Sequence, residues 1–332
     1  MISTPSMGAG AWGWGMAVER AVVTGGAGFV GSSVVEALVG RGTSVLVVDD
    51  LSTGSAANLD RITGDVELFK HDIRDGAPLR DAVAAFRPDL VFHLAARTDV
   101  RASMSDPQDD ASVNVLGSIN VFSAAAAAGV RRLVNTSTGG AIYSPAAPIP
   151  TPETAPVAPL SAYGLSKRVV EEYADWFRSS SGLDVVTLRY GNVYGPRQDP
   201  TGDAGVVAIF CERLLAGRRP VVYGDGTQTR DFVYVADVAA ANLAAAAIED
   251  PRHRVYNIGT GVEVSILELA RATAVAAGVD PQAVPPLPSP TRPGEVFRSC
   301  LDVRRAAAEL ALGRPVPLVE GLHRTLEWIT AR

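Results

Sequence analysis

From Arg20 onward, short runs of β-branched and other apolar residues alternate with alanine-rich stretches whose apolar positions recur every three to four residues. That rhythm is the signature of strand–helix–strand units on a parallel sheet. It predicts strands at Arg20–Thr24, Ser44–Asp49, Val66–Lys70, Asp89–Ala95, Arg131–Thr136 and Asp184–Tyr190, with helices at Gly28–Gly40, Pro78–Phe86, Asp106–Ala128 and Ser161–Ser180. Right-handed crossovers wind such units into a sheet with helices on both faces, and ligands then sit at the carboxyl ends of the strands. Beyond Tyr190 the rhythm loosens and Gly and Pro become frequent. Helices are expected at Gly205–Ala216, Val235–Ile248, Ser265–Gly278, Val303–Ala311 and Leu318–Thr330, with strands at Pro220–Tyr223 and Val255–Ile258. The expected fold class is therefore α/β. A doubly wound parallel sheet occupies residues 20–190, some later segments return to it, and a smaller C-terminal α/β lobe spans 191–332. Residues 1–19 read as a flexible N-terminal extension.

Composition narrows the function classes. Of 332 residues, 47% are hydrophobic and 20% charged, which excludes disorder and fibrous arrays. Acidic residues outnumber Lys and Arg by 36 to 30, so no basic surface exists for nucleic acid or an anionic membrane. Cys211 and Cys300 lie far apart, outside any disulfide or zinc spacing, and the chain reads as a cytoplasmic protein without a metal. No apolar run is long enough to span a bilayer. Lysine is nearly absent: Lys70 and Lys167 stand against 28 arginines, so a retained lysine asks for a reason.

Lys167 has one. It lies four residues after Tyr163 on the predicted helix 161–180, so ammonium and phenol share a face. A nearby cation stabilises phenolate and lets a tyrosine act as general base. The strand before that helix ends in hydroxyls at Thr136, Ser137 and Thr138. Nearer the N-terminus, the segment TGGAGFVG carries Gly25, Gly28 and Gly31 between the first strand and first helix, where backbone N–H groups can approach a pyrophosphate in a Rossmann-type arrangement. The second strand then ends in Asp49-Asp50, where a carboxylate meets the adenine ribose and disfavours the extra phosphate of NADP. Asp72, closing the third strand, is placed for the adenine amine, and the 93–96 segment for the phosphates.

With these motifs in order, the chain resembles the extended short-chain dehydrogenase/reductase family, and within it the NAD-dependent sugar-nucleotide epimerase/dehydratases, the UDP-sugar 4-epimerases above all. The likeness runs from Arg20 to Ile329 through TGGAGFVGS at 24–32, DDLSTG at 49–54, HLAA at 93–96, YGLSK at 163–167, LRYGNVYGPRQ at 188–198, GDGTQTRDFVYVADV at 224–238 and RPGE at 292–295. The resemblance implies Tyr163 as base, Lys167 on the nicotinamide ribose and lowering the Tyr163 pKa, and Thr138, or else Ser137, on the sugar hydroxyl being oxidised. It implies tightly bound NAD held by Gly25, Gly28, Phe29, Val30, Gly31, Asp49, Asp50, Asp72, Ile73, Leu94, Ala95, Ala96, Asn114, Tyr163, Lys167, Tyr190 and Val193. A UDP-sugar would be held by Thr138, Asn192, Val207, Arg230, Arg292, Glu295 and Ser299. A homodimer built as a four-helix bundle from the 106–128 and 161–180 helices also follows from the resemblance.

The implied reaction is C4 epimerisation of a UDP-hexose through a transient 4-keto sugar. Dehydratases of the family carry an Asp-Glu pair after the Thr138 position, and decarboxylases a Glu; here stand Gly139 and Gly140. Relatives acting on UDP-glucuronate carry a second Arg after the GPRQ motif, where this chain has Asp199, so a neutral hexose is preferred. Arg97 and Arg101 keep UDP-glucuronate open, and the small Ser299 keeps UDP-N-acetylglucosamine open. A 4-keto sugar reductase and a non-catalytic NAD-binding protein are the readings from other classes.

Overall fold

The computed structural model describes residues 18–200, 205–291 and 296–331. The first half runs β1 (Arg20–Thr24), α1 (Phe29–Val39), β2 (Ser44–Asp49), β3 (Val66–Lys70), α2 (Gly76–Phe86), β4 (Leu90–His93), α3 (Val100–Ser105), α4 (Pro107–Ala111), α5 (Ser118–Ala127), β5 (Arg132–Thr138), α6 (Ala162–Ser181) and β6 (Val185–Tyr190). The second half adds β7 (Asn192–Tyr194), α7 (Val206–Leu215), β8 (Val221–Tyr223), β9 (Thr229–Arg230), β10 (Phe232–Tyr234), α8 (Val235–Ala247), β11 (Val255–Ile258), β12 (Val264–Ser265), α9 (Ile266–Ala276), β13 (Leu287–Ser289), α10 (Arg304–Glu309) and α11 (Leu318–Thr330).

Seven of these strands form one parallel sheet in the order β11-β6-β5-β4-β1-β2-β3. Both faces are covered, which is why its strands read as continuous apolar runs instead of alternating ones. Val23, Val47, Phe92, Val134 and Leu188 pack with α1 and α8 on one face; Val22, Val91, Leu133 and Val185 pack with α2, α5 and α6 on the other. A third apolar cluster joins α7, α9 and α11 with β8 and β10 and forms the core of the lobe. Phe29 and Val30, at the start of α1, pack against that cluster, so the lobe closes over the carboxyl edge of the sheet beside the first turn.

The predicted helix 106–128 is helical from Pro107 to Ala127, running as α4, a π-helical turn and α5. Asp106, at φ −134° and ψ 77°, separates it from α3, because a residue before proline is pushed out of the helical region and Pro107 has no N–H to donate. The Asp106 side chain then caps α4 by accepting from Asp109 N. Between α4 and α5, residues Ser112–Gly117 form a π-helical turn. The helix α3 and the short strands β7, β9, β10, β12 and β13 were not among the predicted elements. They are two to six residues long, too short for a period to show, and the strands exist through pairing with distant segments, as β7 with β10.

Candidate active site

The turn after β1 leaves no room for side chains. Gly25 has φ +69°, and a Cβ there would lie 2.6 Å from Ala95 N; one on Gly31 would lie 2.0 Å from the Gly25 carbonyl oxygen. The chain thereby presents the N-terminus of α1, capped by Gly28 without a side-chain hydrogen bond, to whatever lies above the sheet. Asp49 closes β2 almost fully buried, accepting from Ala27 N at 3.0 Å and Leu51 N at 2.9 Å. Burial raises its pKa against the pull of those two N–H groups. Asp50 accepts from Ser52 instead. Asp72 is gripped by Arg74 at 2.6 Å, which holds its carboxyl below the usual range, and Ile73 is buried beside Gly117. Leu94, Ala95 and Ala96 follow β4, half-buried, next to Gly25.

Beneath this cradle runs a chain of hydrogen bonds. Ala95 N donates to Thr24 Oγ1, which lies 2.7 Å from His93 Nδ1; His93 Nε2 lies 2.8 Å from Ser118 Oγ, and Ser118 Oγ donates to the Asn114 carbonyl. With the Ser118 hydroxyl hydrogen committed to Asn114, Nε2 is the donor, and in the neutral ring that burial enforces Nδ1 then accepts from Thr24. Burial, with the charge on Lys167 adding, pushes the imidazole pKa down to about 3. The Asn114 side chain clasps the backbone of Arg97 through both N and O, and donates to Asp110 Oδ1 at 3.0 Å. Asp110 in turn accepts from Ser166, between Tyr163 and Lys167. It is 2% exposed, and sequence reasoning passed over it, since DPQDD reads as a solvated helix start; its spacing of four from Asn114 was the available signal.

Tyr163 enters α6 in its first turn, its backbone N–H donating to Ser103 Oγ at 3.1 Å. Its phenol is hydrogen-bonded to Thr138, the last residue of β5. Ser137 Oγ is buried without a hydrogen-bond partner among the described residues, so it is Thr138 that meets the tyrosine. Burial pushes the phenol up to about 12, the Thr138 bond opposing and Asp110 adding to the rise. Lys167, 5% exposed, donates to the Thr136 carbonyl at 3.0 Å, and burial brings it down to about 8 against the upward pull of Asp110 and Glu171. The expected lowering of the Tyr163 pKa by Lys167 is therefore not found in this geometry, where the ammonium is turned to the β5 backbone.

The turn after Thr138 gathers substrate-side residues. A Cβ on Gly140 would lie 3.8 to 4.0 Å from Asn192 Oδ1, Thr138 Oγ1 and Ser299 Oγ, so three polar side chains surround one open point. Gly139 has no such space, because a Cβ there would meet Leu301 at 2.6 Å. Val193 is half-buried on β7, and Val207 on α7 is buried in the lobe core. Arg230 ends β9 and donates to the Thr229 carbonyl. Tyr190 turns its hydroxyl away from the cradle, to Thr136 and Asn242 of α8. Arg292 and Glu295 lie outside the described residues. Arg97 is held by Asp109 at 3.1 Å, Arg101 is exposed on α3, and Arg197 is held by Glu36 of α1 at 2.5 Å. A glycine turn that excludes side chains, a helix N-terminus and a carboxylate at the end of β2 fit a dinucleotide.

A family model described as the NAD dependent epimerase/dehydratase family matches residues 21–259. A UDP-glucose 4-epimerase of Mycolicibacterium smegmatis is 44% identical over 313 residues, covering 93% of this chain and 98% of that protein. Among solved structures, the UDP-glucose 4-epimerase of Thermotoga maritima with UDP-glucose superposes with a TM-score of 0.89 at 42% identity, over 94% of this chain and 99% of that one. The Thermus thermophilus UDP-glucose 4-epimerase in complex with NAD gives a TM-score of 0.85 at 42% identity, over the same shares.

Proposed function

The chain belongs to the NAD-dependent epimerase/dehydratase family, and from that premise we propose that it interconverts the C4 epimers of a UDP-hexose, UDP-glucose and UDP-galactose first, retaining NAD between turnovers. The observation that carries this reading is the meeting of the Tyr163 and Thr138 hydroxyls at the end of β5, with Lys167 one turn further along α6. NAD, when bound, supplies the acceptor for the C4 hydride and returns it. Gly25, Gly28 and Gly31 would hold its diphosphate through backbone N–H groups, and Asp49 its adenine ribose. Thr138 orients the C4 hydroxyl, and Tyr163 removes its proton and later gives it back. A phenol at about 12 must be brought down for that task, and the Lys167 ammonium, freed from the Thr136 carbonyl, is the cation on its own helix face that stabilises phenolate. Net redox change is zero.

The surroundings favour epimerisation of a neutral sugar. Leu301 fills the space in which a side chain at Gly139 would stand, so the acid–base pair that elimination needs has no place at that position. Arg97 and Arg197 are already held by Asp109 and Glu36, which disfavours their pairing with the carboxylate of UDP-glucuronate. UDP-N-acetylglucosamine is the second reading, favoured by the small residues Ser299 and Gly140, whose missing Cβ leaves open the point that would stand 4.0 Å from Ser299 Oγ.

The reading extends to a homodimer in the cytoplasm. Leu116, ahead of α5, and Leu165 and Trp176 on α6 are 58%, 55% and 56% exposed, an apolar surface on the helices that would build a four-helix bundle. Leu165→Glu with Trp176→Glu should turn a dimer in light scattering into a monomer; an unchanged mass refutes that assembly. Among the described residues, no helix is long and apolar enough to cross a membrane. The test of function is to incubate the purified protein, without added NAD, separately with UDP-glucose, UDP-glucuronate and UDP-N-acetylglucosamine and follow the anomeric protons by NMR. Equilibration of UDP-glucose with UDP-galactose is expected. Silence with all three, even with NAD supplied, overturns the proposal in favour of a reductase or a binding protein.

A further inference from the structure

Asp231 lies between Arg230 and Phe232, and its carboxylate is completely buried. Such a group is costly to bury unless its oxygens are well bonded. Here they accept from Thr260 N at 2.7 Å, Thr260 Oγ1 at 2.6 Å, Gly261 N at 3.1 Å and Leu301 N at 3.2 Å. The backbone carbonyl of the same residue accepts from Asn192 N at 2.7 Å. Two glycines make room: a Cβ on Gly259 would stand 2.4 Å from Asp231 Oδ2, and one on Gly191 would stand 2.9 Å from the Asp231 carbonyl oxygen.

These bonds tie together segments that are far apart in sequence. Asn192 is held directly, Arg230 is the preceding residue, and Ser299 stands two residues before the bonded Leu301 and donates its own N–H to the Thr229 carbonyl at 3.2 Å. All three belong to the proposed UDP-sugar pocket. None of the carboxylate's bonds goes to the glycine turn, to Tyr163 or to Lys167.

Resting on the epimerase reading above, we propose that Asp231 is a positioning residue for the nucleotide-sugar: its carboxylate anchors residue 231 to Thr260, Gly261 and Leu301, and so sets the relative placement of Arg230, of Ser299 and, through its own backbone carbonyl, of Asn192, and thereby substrate affinity, while leaving the NAD cradle and the Tyr163 chemistry untouched. Asp231→Asn turns one acceptor oxygen into a donor facing other donors. Thr260→Val is the milder change, deleting one hydroxyl donor at constant shape.

The experiment uses the enzyme purified with its NAD and titrates UDP by calorimetry, with kcat and KM for UDP-glucose measured alongside. Hydrogen bonds to a charged group are strong enough that loss of one should weaken UDP binding about threefold or more in Thr260→Val, and about tenfold or more in Asp231→Asn. KM should rise in step, with NAD content and kcat within about twofold of wild type, since neither site is bonded to this carboxylate. Unchanged UDP affinity in Thr260→Val overturns the proposal, and so does a proportional loss of kcat and NAD, which a merely structural role would produce. If Asp231→Asn does not fold, Thr260→Val alone decides. A wild-type enzyme that binds no UDP refutes the epimerase reading and this proposal with it, whereas wild-type binding with unaffected variants refutes only the proposal.

Discussion

His93 makes acid sensitivity a test of the architecture under the cofactor cradle. Its imidazole is locked neutral between Thr24 and Ser118, edge-on to Phe122 at 5.9 Å, and burial brings its pKa from 6.5 to about 3. The unfolded chain takes up a proton below pH 6.5 while the folded chain does not. The stability contributed by the neutral ring is thus fully present above 6.5 and is lost as pH falls toward 3. Each unit is worth about 1.4 kcal/mol, so the difference amounts to about 3 kcal/mol between pH 6.5 and 4.5, and about 5 kcal/mol over the whole range. His93→Phe removes the titrating group. It takes one hydrogen-bond partner each from Thr24, which keeps Ala95 N, and Ser118, which keeps the Asn114 carbonyl, at a cost of about 2 kcal/mol that does not vary with pH. Urea midpoints for both proteins from pH 7.5 to 4.5 separate the two effects, because carboxylates titrating in both chains cancel. Wild type should be the more stable at pH 7.5, and its advantage should shrink or reverse by pH 4.5. Curves that stay parallel across this range would refute the neutral, doubly bonded imidazole.

Three further outcomes are expected. Tyr163→Phe should lower turnover by about 10²- to 10⁴-fold while NAD stays bound, measured as retained cofactor absorbance, and activity above a few per cent rules it out as the base. Gly31→Ala should strip NAD from the purified protein, since its Cβ would stand 2.0 Å from the Gly25 carbonyl oxygen and force the turn apart; full NAD occupancy would contradict the assignment of this turn. Glu171→Ala leaves the Arg189 guanidinium, 4% exposed and paired at 2.5 Å, without its carboxylate. A loss of about 3–5 kcal/mol in urea unfolding is expected, and a change under 1 kcal/mol would show that Tyr143 and the backbone suffice to hold that charge.

The sequence by itself determined what repeats locally. Strands β1, β2, β3 and β11 and helix α11 lie where the pattern places them to the residue, because β1 and β2, buried on both faces, are apolar almost throughout, the edge strand β3 sets exposed Glu67 between half-buried Val66 and Leu68, and α11 carries an apolar stripe into the lobe core. The glycine turn, Asp49 and the Tyr163–Lys167 spacing were legible for the same reason: each is a short-range pattern in which backbone freedom or helical repeat dictates residue type. Tertiary structure alone decided what depends on distant segments meeting. Thr138 and Ser137 are neighbours in sequence, and only the packing of α6 on β5 selects which hydroxyl meets Tyr163. A π-helical turn interrupts the regular repeat of a helix whose composition reads as plain, and Asn114 within it and Asp110 just before it bridge the cofactor loop and Ser166. Asp231 looks like one more charge beside an arginine, yet its four donors come from residues 29 to 70 positions away. Burial and bonding partners are properties of the assembled sheet and lobe, and no window of local sequence contains them.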